Sequence, residues 1–164
     1  MAVRFAEETD LPRVNELRRQ VNELHVEGRP QTFKPGFCDE LRDHIYTIWN
    51  DPTQRIAVCE RDGVIVGFAV LHRIVRPETP FMFVRDFLDI DEFGVDAAHR
   101  RQGVGTALIA FVRDYAKAQK IPSVELNMWA PNTIRPKSRI SGTLTGWNTS
   151  SSIPNRMRRS LIPS

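Results

Sequence analysis

One joint in the chain constrains its fold more than any other feature. Residues 103–119 place Val104, Ala107, Leu108, Phe111, Val112 and Tyr115 at helical spacing, which predicts an amphipathic helix with one apolar face. Residues 83–95, "FVRDFLDIDEFGV", alternate apolar and charged side chains, as a strand with one wet face does. Between them runs "VDAAHRRQGVG". A helix start exposes unpaired backbone N–H groups and a partial positive charge. Gly103 and Gly105 leave those groups open to close approach, and Arg100 and Arg101 add formal charge beside them. On their own these residues allow a phosphate or pyrophosphate seat, and equally a tight turn inside a solvated basic patch. A Walker A loop is excluded because no lysine follows the glycines. A dinucleotide fingerprint fits poorly, because Leu108 stands where its third glycine belongs.

The remaining pattern supplies a mixed α/β domain. "VRF" at 3–5 predicts a short strand. Asp10 reads as the N-cap of a helix over 11–26, with Pro12 in its first turn and Val14, Leu17, Val21 and Leu24 inward. Leu41, Ile45 and Ile48 predict a second helix that ends near "NDPT". Residues 55–75 form a hairpin pattern about Asp62–Gly63. "SVELNMW" at 123–129 predicts a last strand, so the order is β-α-α-β-β-β-α-β.

Beyond Asn132 the character changes. Residues 1–132 carry 17 Lys and Arg against 20 Asp and Glu, a balance of −3. Residues 133–164 carry 6 Lys and Arg and no acid, a balance of +6. The basic charge therefore belongs to the ending, and the acidic body is a poor candidate for nucleic-acid binding. The ending is rich in Ser, Thr and Arg, and lacks helical or strand periodicity, which predicts poor order. A domain over 1–132 followed by an atypical tail over 133–164 is the expected division. Nucleic-acid contact through "RMRR" is the minor reading of that tail. No apolar run of about 18 residues occurs, so no membrane span is expected. "MAVRFAEETD" does not read as a signal peptide, so a cytoplasmic protein with reduced Cys38 and Cys59 is expected. His25, His44 and His72 share no ligand spacing, predict no metal site, and read as surface or packing residues.

Arg100–Gly105, "RRQGVG", matches the [RQ]-x-x-G-x-[GA] motif of the GNAT N-acetyltransferase superfamily. "DIDEFGVDAAHRRQGVGTALIAFVRDYAK" resembles that family's central strand, pyrophosphate loop and following helix, and "VELNMWAPN" its next strand. The resemblance covers about residues 2–132. It implies a mostly antiparallel central sheet flanked by helices, here without the family's usual C-terminal helix and strands. It implies acetyl-CoA as co-substrate, its pyrophosphate on the N–H groups of Gln102, Gly103, Val104, Gly105 and Thr106, near Arg100 and Arg101. The pantetheine arm would pair with the backbone of Phe93, Gly94 and Val95, with Gly94 suiting a splayed or bulged strand. Asn132 matches a family asparagine that contacts the cofactor, and reads equally as a turn residue.

The implied reaction is direct transfer of acetyl to a primary amine on a small molecule or peptide. A carboxylate must take the amine's proton, directly or through water. Asp91 is the first choice, then Glu92, then Asp89. Strict alternation would put Asp89 and Asp91 on one face with Phe93 and Val95, and Glu92 on the other with Ile90 and Gly94. Phe33, Phe37 and Trp49 either line the acceptor pocket or pack. The family's tyrosine that protonates the leaving thiolate has no counterpart after Asn132, where the sequence fits a shifted reading frame. The alternative function is therefore a CoA-binding domain with little or no catalysis. A side of the sheet left bare would lower stability or call for a covering partner such as a second copy.

Overall fold

The computed structural model describes residues 1–129 and 139–143. The elements are β1 (Ala2–Phe5), α1 (Leu11–Gly28), α2 (Asp39–Asn50), β2 (Gln54–Arg61), β3 (Val64–Arg76), β4 (Arg85–Val95), α3 (Val104–Ala118), β5 (Ser123–Trp129) and β6 (Arg139–Thr143). The first eight follow the order read from the sequence. β6 falls in the segment where no strand period is visible; the rest of 133–164 lies outside the described residues.

The strands form one sheet in chain order, antiparallel throughout except for β4 and β5, which run parallel with α3 as their crossover. β2 and β3 join through Asp62 and Gly63, at φ 52° and 78°, the pair of left-handed residues that a two-residue hairpin turn requires. Gly67 on β3 has a packing reason: a Cβ there would come within 2.6 Å of Val104 Cγ1 on α3.

Each face of the sheet buries its own core. On one face Val104, Leu108, Val112 and Ala116 of α3 pack on Ala57, Cys59, Leu71 and Leu88. On the other, Leu11, Val14 and Leu17 of α1 and Ile45 and Ile48 of α2 pack on Val58, Phe68 and Val70. Each fully buried Val, Leu, Ile or Phe among them contributes about 1.5–3 kcal/mol. Cys59 belongs to this packing, and burial pushes its thiol up.

One local expectation is refined and one corrected. Asp10 stands at the N-cap of α1, but its carboxylate makes no capping bond to the helix: a 3-10 turn over Glu8–Asp10 precedes α1, and the carboxylate accepts from Glu7 N–H at 2.8 Å and Arg4 Nη1 at 2.6 Å. Leu24 is exposed rather than inward. The inner stripe of α1 includes Asn15 and Arg18 instead, both buried.

Candidate functional site

β4 and β5 pair only from Phe87↔Ser123 to Ile90↔Leu126. β4 continues to Val95, while β5 continues to Trp129 paired with β6. Along 91–95, β4 is thus bonded to β3 on one side and, among the described residues, has no strand ladder on the other, which forks the sheet.

The break coincides with a bulge. Val70 pairs with Glu92 and Leu71 with Ile90, so Asp91 has no partner on β3. One extra residue reverses the alternation beyond it. Leu88, Ile90, Phe93 and Val95 all face the α3 core. Glu92 turns toward α1, where Arg18 meets it, and Gly94 faces Val21 of α1. The expected grouping of Asp89 and Asp91 with Phe93 and Val95 is therefore wrong, and so is that of Ile90 with Glu92. Gly94 also has a different reason from the one expected. A Cβ there would sit 2.6 Å from Phe68 and 2.7 Å from Val21, so the glycine lets α1 approach, and the bulge lies at Asp91.

Beside the fork a cleft of about 330 Å³ opens between α1, the start of α2, β4 and β5. Asp91 and Glu92 line it from β4, Arg18, Asn22 and His25 from α1, and Phe37 from the loop before α2. The Arg18 guanidinium, its side chain 5% exposed, grips both Glu92 oxygens and also donates to Asn15 Oδ1 at 2.9 Å and Leu41 O at 2.8 Å. Asp91 is exposed to the cleft, with no side-chain hydrogen bond or ion pair among the described residues. Asp89 is half-buried and outside the cleft. Of the aromatic candidates, Phe37 lines the cleft and Phe33 stacks on His25, ring centroids 4.9 Å apart. Trp49 packs on the α1–α2 core away from it. Burial pushes the His25 imidazole below its ordinary value, with the Arg29 charge acting the same way against Glu92.

At the end of β4 the chain enters the glycine joint. Gly103, at φ 84°, caps α3, and Arg101 is also left-handed, at φ 60°. Ala107 N–H bonds to Gly103 O at 2.9 Å, so the N–H groups of Val104, Gly105 and Thr106 have no acceptor within the helix. Gly105 faces Phe93: a Cβ there would lie 3.5 Å from the ring, an ordinary contact. Arg100 and Arg101 are exposed alongside. Gln102 is held in place, donating to Ala98 O at 2.9 Å and accepting from Arg61 Nη1 at 2.6 Å.

Asp96 anchors the entry to this loop. Its carboxylate accepts from Ala98 N–H at 2.9 Å, Arg13 Nη2 at 2.6 Å and Gln20 Nε2 at 3.3 Å, and His99 Nδ1 lies 3.2 Å away. Burial alone would raise its pKa. These bonds outweigh burial and hold it at about 2.

Asn132 lies outside the described residues. The sequence reading passed over Arg18 and Asn22, and took His25 as a surface or packing residue; all three line the cleft. Their i, i+4, i+7 spacing marks one face of α1, but nothing in the spacing says which strand that face meets. Among the described residues, no His, Cys, Asp and Glu cluster of three or more could hold a metal, and no helix is long and apolar enough to cross a membrane.

The fork, the glycine-capped helix beyond it and the order of the strands are those of an acyltransferase fold. The sequence model of the acetyltransferase (GNAT) family matches residues 18–135, and the chain belongs to that family. Its structure is similar to that of a mutant BH1408 protein from Bacillus halodurans, with TM-score 0.75, 25% identity, and 81% of this chain and 85% of that one covered. It is similar in fold to the acetyltransferase from Vibrio fischeri, with TM-score 0.63, 23% identity, and 77% and 94% covered. It also resembles AAC(6')-Iy in complex with a bisubstrate analog, CoA-S-monomethyl-acetylneamine, with TM-score 0.61, 21% identity, and 81% and 82% covered. No curated protein matches the sequence.

Proposed function

We propose that this chain transfers acetyl from acetyl-CoA to the primary amine of a cationic acceptor by direct attack. The observation that carries the reading is the fork: an unladdered β4 edge over 91–95 runs from an acid-bearing cleft to the open N-terminus of α3.

The groups present fit the co-substrate. The N–H groups of Val104, Gly105 and Thr106, with Arg100 and Arg101 flanking, suit a pyrophosphate. The backbone of Phe93, Gly94 and Val95 can pair with an amide-bearing arm as a strand would, and an N–H there can stabilise the carbonyl oxygen as charge grows on it. The acetyl group would then lie at the bulge, beside the cleft.

Asp91 suits the acceptor end. Its carboxylate has no ion pair among the described residues and faces the cleft, so it can draw in an ammonium group. Glu92 is engaged at both oxygens by Arg18, and Asp89 does not reach the cleft. In the reaction the amine loses a proton, its lone pair forms the C–N bond, the C–S bond breaks, and the thiolate leaves. The relation of one similar structure to an aminoglycoside analog agrees with a polycationic acceptor.

Titration calorimetry with CoA and a thiol-release assay with a panel of amines test this reading. Binding in the micromolar range, with turnover of a polyamine or aminoglycoside, is expected. An Asp91→Asn variant is expected to raise KM for such acceptors more than it lowers kcat.

A second reading is a CoA-binding domain with little or no catalysis. It is favoured by the absence of any tyrosine from the described lining of the cleft: Tyr46 is exposed on α2, and Tyr115 on α3 meets Phe5 edge to face. CoA binding with no thiol release for any amine would decide for it.

A further inference from the structure

We infer that His25 is a catalytic residue, the group in the cleft that takes the proton from the acceptor amine, while Asp91 holds that amine in place. The inference rests on the transferase reading above and assigns a role that the carboxylates of β4 fill less well.

The geometry is that of two facing walls. His25 and Asn22 project from α1 into the same cleft that Asp91 and Phe93 line from β4. The imidazole is fixed from behind by Phe33, whose ring lies 4.9 Å away at 32°, so one edge is left for the cleft. An amine whose ammonium is attracted by Asp91 therefore stands between that carboxylate and the imidazole.

The chemistry favours the imidazole as the base. A base works best when its own pKa lies near the working pH, since it must be unprotonated yet able to hold a proton. An ordinary carboxylate is too weak a base to hold an amine's proton near neutrality, and is better used as a charge. Glu92 is occupied by Arg18. In the step, an amine N–H bond breaks and the proton moves to the free ring nitrogen of His25. The lone pair so released attacks the thioester carbonyl, the C–S bond breaks as the tetrahedral carbon collapses, the nitrogen gives its second proton to the departing thiolate, and the imidazolium returns the first to solvent.

Among the described residues, the charged groups around His25 are few. Arg18 lies on its own helix, Arg29 just beyond that helix, and Asp91 and Glu92 across the cleft. The described lining contributed by α2 and β5, Leu41 and Leu126, is apolar. Burial and Arg29 together outweigh Glu92, so the imidazole is neutral at pH 7.

The test is the pH profile of kcat/KM for acetyl transfer to spermidine. The wild-type protein should show an acid limb with an apparent pKa below 6.5 and a plateau above it. His25→Gln should lower the plateau by about 10²–10³-fold and abolish the limb. Asp91→Asn should keep the limb and raise KM, and His44→Gln, on the exposed face of α2, should leave the profile unchanged. An acid limb that survives in His25→Gln overturns the proposal. Imidazole NMR of the wild-type chain supplies a readout that needs no turnover. With CoA present, spermidine should shift the His25 ring resonances and leave those of His72 in place. Unmoved His25 resonances overturn the proposal even if no amine is acetylated, whereas shifted resonances without thiol release would count against the transferase reading and keep His25 at the acceptor site.

Discussion

Arg18 closes on Glu92 as a fork on a fork, Nε to Oε2 at 2.6 Å and Nη2 to Oε1 at 2.8 Å. The pair crosses from α1 to β4 at the floor of the cleft, one turn of helix beneath Asn22 and two beneath His25. It fixes the distance between the walls that carry His25 and Asp91. Because the arginine is buried and the glutamate partly so, breaking the pair leaves an uncompensated charge. Glu92→Gln is expected to destabilise the fold by about 1–3 kcal/mol, and Arg18→Met with Glu92→Leu to regain much of that loss. Urea midpoints of the two variants check this. A Glu92→Gln midpoint equal to wild type would mean the pair holds nothing.

The two glycines nearest the fork should respond differently to alanine. At Gly94 a Cβ meets Phe68 and Val21 at 2.6 and 2.7 Å, so α1 must move away from β4. Gly94→Ala is expected to lose about 1–3 kcal/mol by overpacking. At Gly105 the new Cβ makes only an ordinary contact with Phe93, so the fold tolerates it. It nevertheless narrows the passage between β4 and the start of α3. Gly105→Ala should keep its melting temperature and weaken CoA binding by about tenfold, near 1.4 kcal/mol. Calorimetry beside thermal melts separates the two effects.

The order of elements was legible because long periodic runs decide between period 2 and period 3.6 with little help from context. "SVELNMW" and the helix of 104–118 needed no tertiary information. The glycine joint was legible for a local reason too: the φ of 84° at Gly103 belongs to the turn itself. Asp91 illustrates what was not. Its bulge is a relation between two strands, one residue of β4 with no partner on β3, and alternation along a single strand cannot register it. The consequence reaches every side chain beyond, which is why Glu92 faces α1 alongside Gly94 while Ile90 does not. His25 was read as a surface or packing residue for the same reason. Its role depends on which strand lies opposite α1, and a helix's own period says only which residues share a face.

If Asp91 attracts a cationic acceptor by charge, salt should weaken that attraction. KM for a polyamine is expected to rise steeply between about 0.05 and 0.5 M salt, where the screening length falls from above 10 Å toward 4 Å. In Asp91→Asn the dependence should flatten. Binding of CoA titrated in parallel reports on the arginines of the loop, so the two contributions can be told apart. A polyamine KM with the same salt slope in wild type and Asp91→Asn would remove Asp91 from the acceptor site.

Asp96 couples the loop before α3 to stability through pH. Its pKa stands at about 2, below the ordinary value of 3.8, because the bonds from Ala98, His99, Arg13 and Gln20 outweigh the cost of burial. A carboxylate depressed in the folded state adds stability that is present above the unfolded value, and loses it as pH falls toward the folded one. The window is therefore about pH 4 down to pH 2. Nearly two units at about 1.4 kcal/mol each correspond to roughly 2 kcal/mol, for a side chain that is 11% exposed. Asp96→Asn should be less stable than wild type by about that amount at pH 7, with the difference shrinking toward pH 2. The variant also frees the turn Ala97–His99 from α1, since Arg13 then grips an amide in place of a carboxylate. Weaker CoA binding should accompany the loss, because the N–H groups of Val104 to Thr106 are aimed by that turn. Urea melts across pH 2–7 and calorimetry at pH 7 test both parts. A stability difference that stays constant down to pH 2 would show that the carboxylate's charge is not what holds the loop.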